Sequence, residues 1–210
     1  MDNPVITLYS DADFFSPYVM SVFVALTEKQ LPFELKKINL SDNENMQQSY
    51  AQLSFTRRVP TLIIDDFRIS ESSAITEYLD EAFPAPAYQS LYPNMMQQRA
   101  KTREIQAWLR SDLLSIRLER PTEVLFGGMK CPPLSTIASN AADKLFAAAN
   151  WLLADGQDNL NGEWSIADTD LALMLNRLVM NGDDVPANLQ RYVSYQWQRP
   201  SVQQWLTLSK

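Results

Sequence analysis

Histidine is absent from all 210 residues. With it goes the side chain that most often serves as general base near neutral pH and most often binds a transition metal. Neither a Ser-His-Asp hydrolase nor a histidine-based metalloenzyme fits this chain. Cysteine is represented by Cys131 alone, which excludes an internal disulfide and suits a reducing compartment. Long apolar runs are missing too: the longest strongly apolar charge-free run, Phe14 to Thr27, has 14 residues and is interrupted by Ser16 and Pro17. That is too short to span a bilayer. The opening Met-Asp-Asn-Pro has no basic n-region, so the expectation is a soluble, non-exported, cytoplasmic protein.

Basic residues are scarce in one part of the chain. Residues 1–83 hold 13 acidic against 6 basic residues, and the remainder holds 12 of each, for a net charge of −7. An acidic surface disfavours nucleic acids and anionic membranes as partners. Hydrophobic residues are plentiful at 46%, enough for a packed core of one large domain or two small ones.

Val5-Ile-Thr-Leu-Tyr9 reads as a short buried strand, being β-branched and aromatic and followed by Asp11-Ala-Asp13. A helix starts next. Ser16 sits where an N-cap is wanted, and Pro17 at the first helical position has its φ pre-set and no N–H to waste. Met20, Phe23, Val24 and Thr27 give that helix an inner face. Pro32 ends it, and Phe33 to Leu40 forms a second strand. Residues 41–54 are polar and predict a loosely packed helix. Thr61–Ile64 and Phe67–Ser70 around Asp65-Asp66 predict a hairpin, and Ser72–Phe83 an amphipathic helix.

Pro84, Pro86 and Pro93 punctuate a stretch that suits a stiff linker over 84–93. Beyond it the pattern is helical throughout: Asn94 to about Glu119, Leu134–Leu153, Ile166–Met180, Pro186–Trp197 and Ser201–Leu208. Ser165-Ile-Ala-Asp168 is a capping-box variant marking a buried helix start. The expected organisation is an α/β domain over 1–83 with order β-α-β-α-β-β-α, the linker, and an all-α domain over 94–210.

Three motifs in this order carry a family resemblance. Ser16-Pro17-Tyr18 opening the first helix resembles the Cys-Pro-Tyr site of glutaredoxins and the serine, cysteine or tyrosine site of glutathione transferases. Val59-Pro60 before the third strand resembles the family's Val-Pro pair with its cis peptide. Glu71-Ser72-Ser73-Ala-Ile75 is similar to the Glu/Gln-Ser-x-Ala-Ile signature that holds the γ-glutamyl end of glutathione. Trp164 with Ser165–Asp168 resembles the capping box of the family's helical domain, so the resemblance covers essentially the whole chain. Trp108-Leu-Arg-Ser-Asp112 with Glu119-Arg-Pro-Thr122 is similar to the narrower group of bacterial YfcF-like transferases.

The resemblance implies a thioredoxin-like first domain, an all-helical second domain, glutathione as co-substrate, no metal, and a homodimer. It also implies roles. The Val59 backbone beside a cis Pro60 would hold the cysteinyl backbone of glutathione, and Glu71 its amine. Ser72 with the following helix N-terminus would hold the γ-glutamyl carboxylate. Arg58, or alternatively Arg57, would reach the glycyl carboxylate. Without histidine, the thiol must be activated by stabilising its thiolate. Lowering a thiol pKa from about 8.5 to about 6.5 takes roughly 2.7 kcal/mol. A hydroxyl donating to a charged acceptor supplies about 1.5–3 kcal/mol, and a helix N-terminus roughly 0.3–1. Ser16 alone at its cap can meet that need, although Tyr9, Ser10 and Tyr18 offer neighbouring hydroxyls and Ser16 can equally be only a cap.

The expected chemistry is attack of the glutathione thiolate on an electrophile, an organic hydroperoxide or a disulfide. The alternative is a non-catalytic protein of the same fold that binds ligands or partners. Serine at position 16 disfavours a glutaredoxin-like mixed disulfide, and Cys131 lies far from the motif. Arg99, Arg103, Arg110 and Arg117 form a stripe suited either to a subunit interface or to a solvated face. Trp108, Met95, Met96 and Phe126 are candidates for an apolar pocket or for core.

Overall fold

The computed structural model describes residues 4–153 and 156–208. The chain forms two compact units, one running to Leu91 and the other starting at Tyr92.

In the first unit, strand β1 (Ile6–Asp11) leads through a tight loop into helix α1 (Pro17–Glu28), then β2 (Glu34–Ile38). β1 and β2 are parallel, as a helical crossover requires. After a polar segment come β3 (Thr61–Ile64), β4 (Phe67–Ser70) and helix α3 (Ser72–Ala82). β3 pairs antiparallel with both β1 and β4, giving a four-stranded mixed sheet in the order β2-β1-β3-β4. Asp65 turns the β3–β4 hairpin at φ 52° and also holds the Val5 N–H on its carboxylate at 3.0 Å.

Helix α1 departs from the one-faced pattern expected of it. Every residue from Val19 to Leu26 is buried, because the helix packs against both β1 and α3. The segment 41–54 departs further. It holds a 3-10 turn (Glu44–Met46) and a single helical turn, α2 (Gln48–Ala51), rather than a continuous helix. Local side chains hold its backbone instead. Asn39 Oδ1 accepts the Ser41 and Asp42 N–H groups, Glu44 takes that of Asn39, and Asn43 adopts φ 54°.

Lys29, the C-cap of α1, is fully buried. Its ammonium reaches Asp80 of α3 at 3.2 Å and the carbonyls of Phe83 and Gln89 at 2.9 and 2.8 Å. Asp80 also accepts the Leu91 N–H at 2.8 Å. One buried ion pair thus fastens α1, α3 and residues 83–91 together.

The second unit is helical. It comprises α4 (Met96–Ser111), α5 (Leu114–Glu119), α6 (Thr122–Phe126), α7 (Thr136–Leu152), α8 (Ile166–Asn181), α9 (Ala187–Trp197) and α10 (Pro200–Leu208). α8 is buried from Ile166 to Leu178 except at Asp170 and packs against α4, α6 and α9. Leu109, Leu145, Leu171, Leu175 and Leu189 belong to its core.

The single helix expected over 94–119 is in fact two. Asp112 is extended and Leu113 left-handed at φ 61°. Side chains stabilise the break: Asp112 accepts from the Leu113 N–H at 2.7 Å, from Trp108 Nε1 at 2.9 Å and from Lys144, and Arg117 caps the Asp112 carbonyl. Those donors, Lys144 foremost, pull the Asp112 carboxyl down to about 2. Among the described residues no helix is long and apolar enough to cross a membrane.

Candidate functional site

The β1–α1 loop is organised by Asp11, which is 7% exposed. Its carboxylate accepts the Phe15 N–H at 2.6 Å, the Ser16 N–H at 3.1 Å and the Ser10 hydroxyl at 3.1 Å. Within the loop Phe14 is buried at φ 59°, a backbone state that a bulky residue keeps only when its surroundings over-determine it. The loop delivers Ser16 to the N-cap of α1, half-buried, with its oxygen accepting the Val19 N–H at 3.3 Å. A hydroxyl that accepts in this way still has its one proton to donate. Ser10 does not compete with it, since that side chain is fully buried and donates to Asp11. Tyr9 packs edge-on against Tyr50 with ring centroids 5.7 Å apart.

The Val59–Pro60 peptide is cis, as expected. Both polar backbone groups of the preceding residue, Arg58, are held by hydroxyls. Thr56 Oγ1 accepts the Arg58 N–H at 3.4 Å, and the Arg58 carbonyl accepts from Thr61 and Tyr50, each at 3.0 Å. Burial pushes the Tyr50 phenol up from its ordinary value, so it stays a donor. The Arg58 side chain is exposed, as is that of Arg57, whose carbonyl receives Asn45 Nδ2 at 2.8 Å.

Ser72 is buried and is the first residue of α3; the N-cap is Glu71. Ser72 is thus not the cap of this helix. Glu71 is exposed, makes no side-chain capping bond, and sits at φ 70°, ψ 111°. A non-glycine residue in that region carries strain of the order of 1–3 kcal/mol and is found where a site needs it. Sequence gave no sign of this strain, nor of the roles of Asp11, Thr56 and Tyr50.

The remaining candidates lie in the second unit. Trp108 lines a cavity of about 240 Å³ with Lys101, Glu104, Ile105, Trp151 and others, whereas Met95, Met96 and Phe126 do not line it. The arginine stripe is largely committed within the unit. Arg110 pairs with Asp170 at 3.0 Å, Arg117 holds the carbonyls of Leu109 and Asp112, and Arg99 lies over the Tyr92 ring. It is not the solvated face that the heptad spacing allowed. Cys131 is tied through its N–H to Asn181 at 2.7 Å.

Comparison with known proteins agrees with this fold. The family model described as glutathione S-transferase, N-terminal domain, matches residues 12–87, and the one described as glutathione S-transferase, C-terminal domain, matches residues 95–210. A glutathione transferase homolog from Burkholderia GL BGR1, solved with bound glutathione, is 46% identical, with 97% of each chain covered and a TM-score of 0.82. Mouse glutathione S-transferase theta-3 is 32% identical over 62% of this chain and 55% of its own length. Human theta-1 is 32% identical over 48% of this chain and 41% of its own. This chain thus matches only about half the length of these two curated relatives. A stringent starvation protein A homolog from Haemophilus ducreyi is 29% identical over 83% of this chain and 75% of its own length. With its four-stranded mixed sheet, its helical second unit and both family models matched, the chain belongs to the glutathione S-transferase family.

Proposed function

We propose that this protein is a glutathione transferase whose first unit binds glutathione and whose Ser16 stabilises the glutathione thiolate. The observation that carries the proposal is the Ser16 hydroxyl at the N-cap of α1, accepting the Val19 N–H and keeping its proton for a ligand. The helix N-terminus adds positive potential at the same place. In the bound state the Val59 backbone holds the cysteinyl backbone, Glu71 the amine, and Ser72 with the first turn of α3 the γ-glutamyl carboxylate. Arg58 reaches the glycyl carboxylate. The bound sulfur, as thiolate, attacks an electrophilic carbon; a C–S bond forms, the leaving group departs with its electron pair, and the thiol proton passes to solvent. Organic hydroperoxides and disulfides are further acceptors for the same nucleophile. The protein works as a cytoplasmic homodimer without a metal.

A second reading, in which glutathione or another ligand is bound without turnover, draws support from the similarity to a relative named as a starvation protein rather than as a transferase.

Calorimetric titration with glutathione, combined with thiolate absorbance across pH, tests the proposal. The expected result is saturable binding with a lowered thiol pKa, and Ser16→Ala raises that bound pKa by about 1–2 units. An unchanged pKa in Ser16→Ala removes Ser16 from the mechanism. A lowered pKa without turnover of any electrophile supports the second reading.

A further inference from the structure

The hairpin β3–β4 ends where two segments assigned to glutathione leave the sheet. Its first and last residues, Thr61 and Ser70, are register partners and are both buried hydroxyls. Around them lies a cluster of hydroxyls outside the three motifs that carry the family resemblance. Ser54 and Thr56 are 3.0 Å apart, and Thr56 Oγ1 donates to Ser70 Oγ at 3.1 Å. Thr56 has one proton, so Ser54 donates to it, and its remaining acceptor capacity faces the Arg58 N–H at 3.4 Å. On the other side of the same residue, Thr61 donates to the Arg58 carbonyl at 3.0 Å and lies 2.9 Å from the Tyr50 hydroxyl, whose one proton is shared between Thr61 and that carbonyl.

Within this cluster Thr56 alone bonds both segments. Through Arg58 it holds the approach to Val59–Pro60, and through Ser70 it holds the residue before the strained Glu71. The two segments carry groups for opposite ends of one ligand, so their separation sets whether both ends are held at once. We infer that Thr56 is a positioning residue for glutathione, keeping the Arg58–Pro60 turn and the Glu71–Ser72 turn in mutual register. The inference rests on the proposed glutathione reading. Ser16 is held separately, by Asp11, so the Thr56 bonds bear on affinity and not on the state of the bound thiol.

The test compares Thr56→Val, which keeps shape and removes the hydroxyl, with Thr56→Ser, which keeps the hydroxyl. Glutathione Kd is measured by calorimetry, the bound-thiol pKa by absorbance at saturation, and folding by thermal unfolding. Thr56→Val is expected to weaken Kd roughly tenfold, the equivalent of losing one to two hydrogen bonds, with the bound pKa unchanged and Thr56→Ser close to wild type. Should Thr56→Val fail to fold, Ser70→Ala, which removes the other end of the bond, is expected to weaken Kd in the same direction. An unchanged Kd in the folded variant, or a shifted pKa, or no rescue by serine overturns the inference. Arg58→Ala and Ser72→Ala separate the two levels. If they weaken binding while Thr56→Val does not, only the positioning role fails; if they too leave Kd unchanged, the glutathione reading fails and takes this inference with it.

Discussion

Asp168 shows how one buried carboxylate trades charge against bonds. It accepts from the Ser165 N–H at 2.9 Å, the Ser165 hydroxyl at 3.1 Å, the Leu160 N–H at 2.8 Å and the Tyr192 hydroxyl at 3.0 Å. Burial still outweighs those donors and pushes its carboxyl up to about 6. A carboxyl raised in the folded state holds its proton longer there than in the unfolded chain. Its stabilising contribution is therefore full below the unfolded value near pH 4 and is lost as pH rises through about 6. The lost amount is about 3 kcal/mol. Thermal unfolding from pH 4 to pH 7 is expected to show this fall in the wild type and not in Asp168→Asn, whatever the variant's absolute stability. Equal pH slopes would assign the charge cost elsewhere. The spacing Ser165 to Asp168 made the cap legible in sequence, because a capping box is local. Asp11 was not legible. Its function arises only when the loop folds back and brings the Phe15 and Ser16 N–H groups onto its carboxylate, and no spacing rule encodes that.

At the scale of elements, the Lys29–Asp80 pair decides how α1 and α3 meet. The ammonium sits at the C-terminal ends of both helices, where a cation is favoured, and takes the otherwise orphaned carbonyl of Phe83. Removing one partner leaves a buried charge uncompensated. Lys29→Met is thus expected to cost about 3–5 kcal/mol in denaturant unfolding, with much of it recovered when Asp80 is also made apolar. A loss below about 1 kcal/mol would mean that water reaches Asp80. The order of strands and helices was readable from the residues, since Pro17, the Asp65-Asp66 turn and the 3.6-residue pattern each act within a few positions. What periodicity could not reveal was an interruption made by side chains. Asn39 and Glu44 replace a helix over 41–54 with local bonds. Asp112 halts α4 although Trp108 through Arg117 continue the helical pattern. Trp108 and Asp112, two residues behind the narrower family resemblance, are thereby partners in that stop.

For the molecule as a whole, charge is distributed unevenly along the chain. The excess of acids in residues 1–83 confronts a ligand with two carboxylates and one ammonium. Long-range repulsion is screened within about 8 Å at physiological salt, whereas bonds made after contact are screened far less. The glutathione association rate is accordingly expected to rise as ionic strength goes from about 0.01 to about 0.15 M. Stopped-flow binding measures it, and a rate that falls with salt would show that Arg58 and the helix ends dominate the approach. Beyond rates, the strained backbone of Glu71 has a consequence for how this protein can be improved. Glycine at that position would relieve the φ 70°, ψ 111° conformation and remove the carboxylate at the same stroke. In the proposed glutathione site, selection for robustness alone would therefore erase the side chain assigned to the ligand amine. Glu71→Gly is accordingly expected to raise the melting temperature while weakening glutathione binding, so redesign of this scaffold for stability has to treat position 71 apart from the rest.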